Sequence, residues 1–468
     1  MVTMKTRELA NLGVPRGEPM RYAKDALAAA ADSGFGKQDM RVVVRALLEN
    51  PAAYTADPIW GLFAKAMLAD TRERRGFVPR LHPAPYRKWG RDLDPSSIQQ
   101  MENACALPVS VQGALMPDAH VGYGLPIGGV LATDNAVIPY AVGVDIACRM
   151  KLTVLDLPVD ALRRMRDQLA NAIERETRFG IGASFKERRS HEVMDENWSV
   201  SPVTKELKDK AWSQLGTSGS GNHFVEFGVL TVTGEGLGLE TGTYLALLSH
   251  SGSRGAGASV ADYYSKLAMT LHRELPKELS HLAWLDLDTH EGQEYWAAME
   301  LMGKYAAANH ACIHRHVAKH LGVNVLLDIE NHHNFAWKER HAGKEVIVHR
   351  KGATPAGAGV IGVIPGSMAA PGFVVRGKGN ALSLNSAAHG AGRQMSRKKA
   401  IESFRWPQVK KLLEERGVTL LSAGLDEVPA AYKDIETVMA AQSDLVEVLA
   451  RFDPKLVKMA PAGERPED

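Results

Sequence analysis

Residues 113–157 read GALMPDAHVGYGLPIGGVLATDNAVIPYAVGVDIACRMKLTVLDL. The apolar, β-branched runs in this stretch are too short for helices and are cut by glycine, proline and Asp-Asn turn residues, so they predict strands. Further along the chain the pattern changes. VDALRRMRDQLANAIERE (159–176), ADYYSKLAMTLHREL (261–275), EGQEYWAAMELMGKYAAANHACIHRHVAKHL (291–321) and SDLVEVLARF (443–452) place apolar residues at i, i+3, i+4 and i+7 and predict helices. Strand clusters and helices do not alternate one by one, which predicts an α+β architecture in place of a doubly wound parallel sheet. On the N-terminal side, MRYAKDALAAAADSG (20–34) and QDMRVVVRALLEN (38–50) have helical spacing stopped by Gly or by Asn before Pro. Residues 1–95 therefore read as a small helical extension that ends in a Pro- and Arg-bearing linker (74–92), and 96–468 as the main body. PAGERPED (461–468) reads as a frayed tail.

The chain has 468 residues, 45% hydrophobic and 24% charged, which excludes a disordered, collagen-like or coiled-coil protein. Length alone allows about three average domains or one large one. No apolar run approaches the roughly 18 uncharged residues of a bilayer-spanning helix. Lys+Arg 56 against Asp+Glu 54 leaves a net charge of +2, so bulk charge argues for no polyanionic partner, although a local basic face is compatible with it. Three cysteines cannot form a disulfide framework, and MVTMKTRELANLG lacks the apolar core of a secretory signal, so a reducing, cytoplasmic setting is expected. Gly 43 and His 17 are both generous, which directs attention to tight turns around metal or phosphate.

Asp145 and Cys148, three apart after PYAVGV, can reach one cation, and a thiolate with oxygen and imidazole partners suits zinc, manganese or iron. Alone, a cysteine in an apolar run is more often a small core residue. Further histidines sit in Gly- or Asn-rich segments: Asp118-Ala119-His120, Gly221-Asn222-His223, His250-Ser251-Gly252, His332-His333-Asn334 and His389-Gly390-Ala391-Gly392-Arg393. A histidine whose neighbours free the backbone is poised to bind something that approaches closely. The bland alternative is a set of turn histidines with satisfied hydrogen bonds. His310, His314, His316 and His320 lie on a helical pattern interleaved with Lys and Arg and lack an acidic neighbour, so they predict a solvated face and not a site. DLDTHEGQEYW (286–296) lacks calcium-loop spacing and predicts a helix start. GSGNHF, HSGSRGAG and HGAGR have the composition of phosphate-cradling turns, with Arg254 and Arg393 as candidate phosphate contacts, but none is a Walker A or dinucleotide fingerprint.

In order along the chain, MPDAHVGYGLPIGG, VGVDIAC, GSGNHFVEF, HSGSRG, EGQEYWAAMELMGKYAAANH, HHNFA, RKGATPA, PGSM, AAHGAGRQMSR and AAYKDIETVM resemble the RtcB family of RNA-splicing ligases over roughly residues 98–459. The resemblance implies a catalytic domain at 96–468 whose mixed and antiparallel sheets surround a central metal and nucleotide cleft. It implies a GTP- and manganese-dependent RNA ligase that joins a 2′,3′-cyclic phosphate or 3′-phosphate end to a 5′-hydroxyl end, in tRNA splicing or RNA repair. An archease-like activator is a candidate partner, and a membrane is not. Carried over by motif, His389 is the nucleophile that takes up GMP, and Asp118 assists it. Asp145, Cys148, His223, His250 and His333 are the implied ligands of two manganese ions. The implied nucleotide pocket comprises Asn222, Glu226, Asn334, Ser367, Gly390, Ala391, Gly392, Arg393, Tyr432 and Lys458. Glu226 can accept hydrogen bonds from the N1 and N2 edge of guanine, a donor pair that adenine lacks. Tyr432 offers a stacking face, and Lys458 a cation for base or phosphate.

This chain departs from the family pattern at YAVGVDIACRMK, where a glycine, a tyrosine and an asparagine beside the ligands are replaced. It departs again at PGSMAAPGF, which lacks hydroxyls near the nucleotide, and at Pro355, which stands where arginine is usual. These changes imply retained guanylylation with an altered RNA-end preference or partner. The alternative reading is a metal-dependent phosphoesterase that opens cyclic phosphates without sealing. A third reading, a binding protein without turnover, is disfavoured by the intact HGAGR loop.

Overall fold

The computed structural model describes residues 4–15, 17–70, 77, 78 and 80–463. The chain divides into two compact units, one of residues 1–78 with 288–291 and one of 79–287 with 292–468. Most of the tail read as frayed, residues 464–468, lies outside the described residues.

The first unit is helical, as its spacing predicts: Thr6–Leu12, Glu18–Asp32, Lys37–Glu49 and Gly61–Asp70. Ala23, Leu27 and Ala30 on one helix and Met40, Val44 and Leu47 on the next are buried with Trp60 and Phe63, the apolar stripe that the i, i+3, i+4 pattern requires. Pro19 sits in the first turn of its helix, where its missing N–H is harmless, and Gly13 takes the left-handed C-cap of the helix before it.

The boundary falls near residue 78 and not at 95. Tyr86–Lys88 is a strand paired in parallel with Ser110–His120, Trp89 is buried in the core beside it, and Pro95–Cys105 is a helix whose N-terminus the Asp94 carboxylate caps. Much of the stretch read as a linker thus forms the edge of the larger unit; its residues 74–76 and 79 lie outside the described residues. Prolines at 83 and 85 obscured a short strand that makes its backbone pairs at a sheet edge.

The larger unit contains two main sheets. One has five strands in the order Tyr86–Lys88, Ser110–His120, Ile127–Thr133, Lys344–Lys351, Asn334–His341. The other has eight: Ile361–Ile364, Gly372–Gly377, Val446–Met459, Phe224–Val232, Gly242–Ser251, Arg149–Leu155 and Val325–His332 run antiparallel in that order, and Thr419–Ser422 pairs in parallel with Val446–Met459. This is the expected α+β architecture. SDLVEVLARF, read as a helix, is a correction: Val446–Met459 is a central strand between Gly372–Gly377 and Phe224–Val232. Its short apolar run fits either period, and burial between two neighbouring strands decides for the extended form.

Register assigns the two faces of the large sheet. Val225, Phe227, Leu247 and Leu456 pack against Ile313 and Val317 of the long helix His290–Leu321 and against Leu169 and Ile173 of Arg166–Glu176. Their neighbours of opposite parity, Glu226, Leu248 and Val457, line a cleft of about 1210 Å³. The histidines of the long helix correct a second expectation. His316 and His320 are partly or fully exposed, but His310 and His314 are buried, and the Ser249 hydroxyl lies 2.7 Å from His310 Nδ1 and 2.7 Å from His314 Nε2. His310 Nε2 donates to the Ser251 carbonyl at 3.1 Å. The interleaved Lys and Arg fall on the other side of the helix, which the average polarity of the stretch conceals. Among the described residues no helix is long and apolar enough to cross a membrane.

Candidate active site

Four chain segments converge at the cleft through backbone hydrogen bonds. The Asp145–Cys148 turn precedes the strand Arg149–Leu155, and Ala147 within it has φ +58°. Ala147 N donates to Asn334 O at 2.6 Å and His333 N to Cys148 O at 3.0 Å, which ties this turn to the HHNFA segment. His250 lies opposite both Phe224 and Met150 in the sheet, which brings it beside His223 and Cys148.

The side chains complete two ligand sets: Asp145, Cys148 and His223, and Cys148, His250 and His333, each with donor atoms within 4.8 Å of one another and all buried. Cys148 Sγ is 3.1 Å from His250 Nε2 and 3.4 Å from His223 Nε2; His250 Nε2 is 3.2 Å from His333 Nε2, and His223 Nε2 is 3.1 Å from Asp145 Oδ2. Burial, with His223 alongside, lowers the His250 pKa to about 3, and burial with His389 nearby holds His333 well below its usual value. Burial would raise Asp145, but hydrogen bonding to His223 and the charges of His223 and Arg254 hold it near 2. The neutral His250 and His333 rings and the ionised Asp145 carboxylate are donors in the state that a borderline divalent ion requires, and Cys148 would bind it as the thiolate. His333 Nδ1 is buried without a hydrogen-bond partner among the described residues. The mixed sulfur, nitrogen and oxygen set therefore fits two cations that share Cys148.

His389 enters the same cleft, its ring centroid 4.9 Å from that of His333. Its Nδ1 is 2.7 Å from Asp118 Oδ2, which also accepts from the backbone N–H groups of His389 and Gly390 at 3.2 and 3.3 Å. This fixes the proton on Nδ1 and leaves Nε2 as the basic nitrogen. Gly392 follows with φ +72°, and a Cβ there would stand 2.0 Å from Asp118 O, so only glycine lets the loop close on the aspartate.

Asn222, Glu226, Asn334, Ser367, Gly390, Ala391, Gly392, Arg393 and Tyr432 all line the cleft. Burial raises the Glu226 pKa well above the usual carboxyl value. Arg393 lies over the Tyr432 ring at 5.2 Å and donates to Asp426 O at 2.7 Å. Two expectations are displaced. Lys458 pairs with Val225 and so shares the helix-covered face, where it meets Glu174 and the Phe179 ring; its neighbour Val457 pairs with Glu226 and faces the cleft. The one-residue alternation of a strand excludes Lys458 from the pocket. Arg254 is buried behind the ligands, with Nη1 3.2 Å from His223 Nδ1, and not on the cleft wall. Pro355 pairs with Ser386 in a short two-stranded ladder, and Ala370 faces the cleft without a hydroxyl.

Other wall residues were not singled out from sequence. Lys351 is buried on the wall and donates to Tyr123 O at 2.5 Å, and burial lowers its pKa to about 7. It stands inside the quoted RKGATPA motif, between an arginine and a glycine, which was the available signal. Arg397, which ends the motif AAHGAGRQMSR and so carried the same signal, forms an ion pair on the wall with Glu427, which carried none.

The sequence profile of the family described as tRNA-splicing ligase RtcB matches residues 100–202 and 195–459. The RNA-splicing ligase RtcB of Escherichia coli strain K12 is 34% identical over 400 residues, spanning 78% of this chain and 95% of that protein. The tRNA-splicing ligase RtcB of Nanoarchaeum equitans is 33% identical over 437 residues, spanning 77% of this chain and 91% of that protein. That of Thermococcus kodakarensis is 29% identical over 434 residues, spanning 76% and 90%.

Proposed function

The chain belongs to the RtcB family of tRNA-splicing ligases, and from that premise we propose that it is a GTP- and manganese-dependent RNA ligase acting through a His389–GMP intermediate. The observation that carries the reading is the Asp118–His389 pair at 2.7 Å in one cleft with the two ligand triads. His389 Nε2 attacks the α-phosphorus of GTP, the N–P bond forms and pyrophosphate leaves; Asp118 stabilises the positive charge that develops on the ring. GMP then passes to an RNA 3′-phosphate, a cyclic phosphate having first been opened by water. The 5′-hydroxyl of the second strand attacks that phosphate, and GMP departs. Asp145, Cys148, His223, His250 and His333 would hold two manganese ions, which neutralise phosphate charge when bound. Glu226 meets the guanine edge and Tyr432 offers its ring.

The substrates under this reading are RNA ends with a 3′-phosphate or 2′,3′-cyclic phosphate and a 5′-hydroxyl, in tRNA splicing or RNA repair. A cytoplasmic setting belongs to this reading, and an archease-like activator is a candidate partner. Incubation with manganese and α-labelled GTP tests the proposal: acid-labile, alkali-stable label on the wild type and none on His389→Ala is expected. An unlabelled wild type that opens cyclic phosphates without GTP would establish the phosphoesterase in its place.

A further inference from the structure

The rim of the cleft carries an exposed aromatic group on a segment that is otherwise immobilised. Tyr123 is 59% exposed and Val121 49%, and both line the cleft. The backbone between them is held from two sides: Gln100 Nε2 donates to Gly122 O at 2.5 Å, Gly122 N donates to Gln100 Oε1 at 3.0 Å, and the buried Lys351 ammonium donates to Tyr123 O. Gly124 has φ +69°, and a Cβ there would stand 2.6 Å from His281 O, so the segment lies close against its neighbour. The Tyr123 and His281 rings form a T-shaped pair at 5.7 Å and 84°, and Tyr140 packs on the same imidazole at 4.8 Å.

We propose that Tyr123, braced by His281 and Tyr140, is a stacking platform for the base of a terminal nucleotide of the RNA entering the cleft, a proposal that rests on the ligase reading for the identity of its ligand. The ring's contacts with His281 and Tyr140 leave Tyr123 59% exposed, and a base laid on the open part buries its π-face at little further ordering cost because the backbone is already clamped. Stacking suits a ligase that must accept ends of varied sequence, because every base has a π-face. Arg91 on the same cleft wall supplies positive charge for the phosphodiester beside that base. Tyr123 is a positioning residue that holds the end and leaves the reacting atoms to others.

Single-stranded RNA with 2-aminopurine as its terminal base, in one arm on a 3′-phosphate strand and in another on a 5′-hydroxyl strand, tests the platform by fluorescence quenching and titration. In at least one arm the wild type and Tyr123→Phe should quench, and Tyr123→Ser should bind between about 5-fold and about 150-fold more weakly. An abasic terminal nucleotide should remove the difference between Tyr123→Ser and wild type, which a loss of fold would not do. Equal affinity and quenching for Tyr123→Ser and wild type in both arms would overturn the proposal. The wild type's GTP labelling reads the ligase function separately: Tyr123-dependent quenching without any label would reject the ligase and keep the platform.

Discussion

Asp118 does two tasks with one oxygen, accepting from the His389 ring and from the two N–H groups that shape its loop. Replacing it with asparagine keeps the volume but allows the amide to donate to Nδ1, which moves the ring proton to Nε2 and removes the lone pair that the proposed guanylylation uses. Asp118→Asn should lower the rate of label transfer from GTP on the order of 10²-fold, measured by rapid quench at saturating GTP; an unchanged rate would show that the aspartate does not set the tautomer. Glu226 makes a prediction of a different kind. Burial keeps it protonated above the usual carboxyl range, whereas the guanine edge offers donors that favour the carboxylate. GTP binding should therefore release a proton, and affinity should rise with pH by up to about tenfold per unit. Calorimetry in buffers of different ionisation heat reads the proton directly; Glu226→Gln should bind GTP more weakly and lose the pH dependence. The candidate ligands drew attention in the sequence as histidines and a cysteine in glycine- or asparagine-rich company, and the structure gathers them at one cleft. Lys351 did not, because one lysine in a charged stretch looks like any other until burial is known.

Elements bring these residues together, and strand parity decides which take part. The same alternation that points Glu226 and Leu248 into the cleft points Ser249 onto the long helix and Lys458 out of the pocket. A sequence motif fixes which strand a residue occupies, but a bulge such as the one between Pro454 and Leu456 resets parity downstream of it. For that reason Lys458 was placed wrongly by motif alone. SDLVEVLARF failed for a related reason, since a short apolar run has no period of its own until its neighbours are known. Close backbone approach also works at this scale. A Cβ on Gly252 would lie 2.0 Å from Asp145 Oδ2, and Asp145 Oδ1 is already held by Ser253 N at 2.9 Å and Ser253 Oγ at 3.1 Å. Gly252→Ala should thus displace the carboxylate and weaken the Asp145, Cys148, His223 set while leaving the Cys148, His250, His333 set in place. Metal analysis after equilibration with just enough manganese to fill both wild-type sites, followed by removal of free metal, should find about half the wild-type content; full content would show that the carboxylate is dispensable or has room to move.

Taken whole, the molecule buries a large share of its histidines and leaves others, such as His82 and His320, exposed. The near balance of 56 basic and 54 acidic residues says nothing of the cleft, where the local arrangement of cations and imidazoles matters, and the length of 468 residues misleads about domain number. What the composition did signal, the surplus of histidine, has a consequence for stability. Burial lowers His120 and His349 to about 4 and His250 and His332 to about 3. In each case the folded pKa lies below the unfolded value of about 6.5, so the unfolded chain binds protons that the folded one refuses. Stability is then insensitive to these groups above that value and is lost as pH falls from about 6.5 toward 4. Glu226 opposes the trend, because its raised pKa makes the folded form the better proton acceptor, but it is one group against several. His349 isolates the effect away from the ligands: its Nε2 accepts from Ile138 N at 2.9 Å and its Nδ1 donates to Leu131 O at 3.1 Å, an arrangement that only the neutral ring satisfies. A glutamine amide can accept and donate in the same two directions and has no proton to gain. Denaturant midpoints of the metal-free protein should fall steadily between pH 6.5 and 5, and His349→Gln should flatten part of that slope by removing a penalty that reaches about 3 kcal/mol when the group is fully titrated. A wild-type midpoint independent of pH in this window, or a variant with an unaltered slope, would show that these rings are not held neutral by the fold.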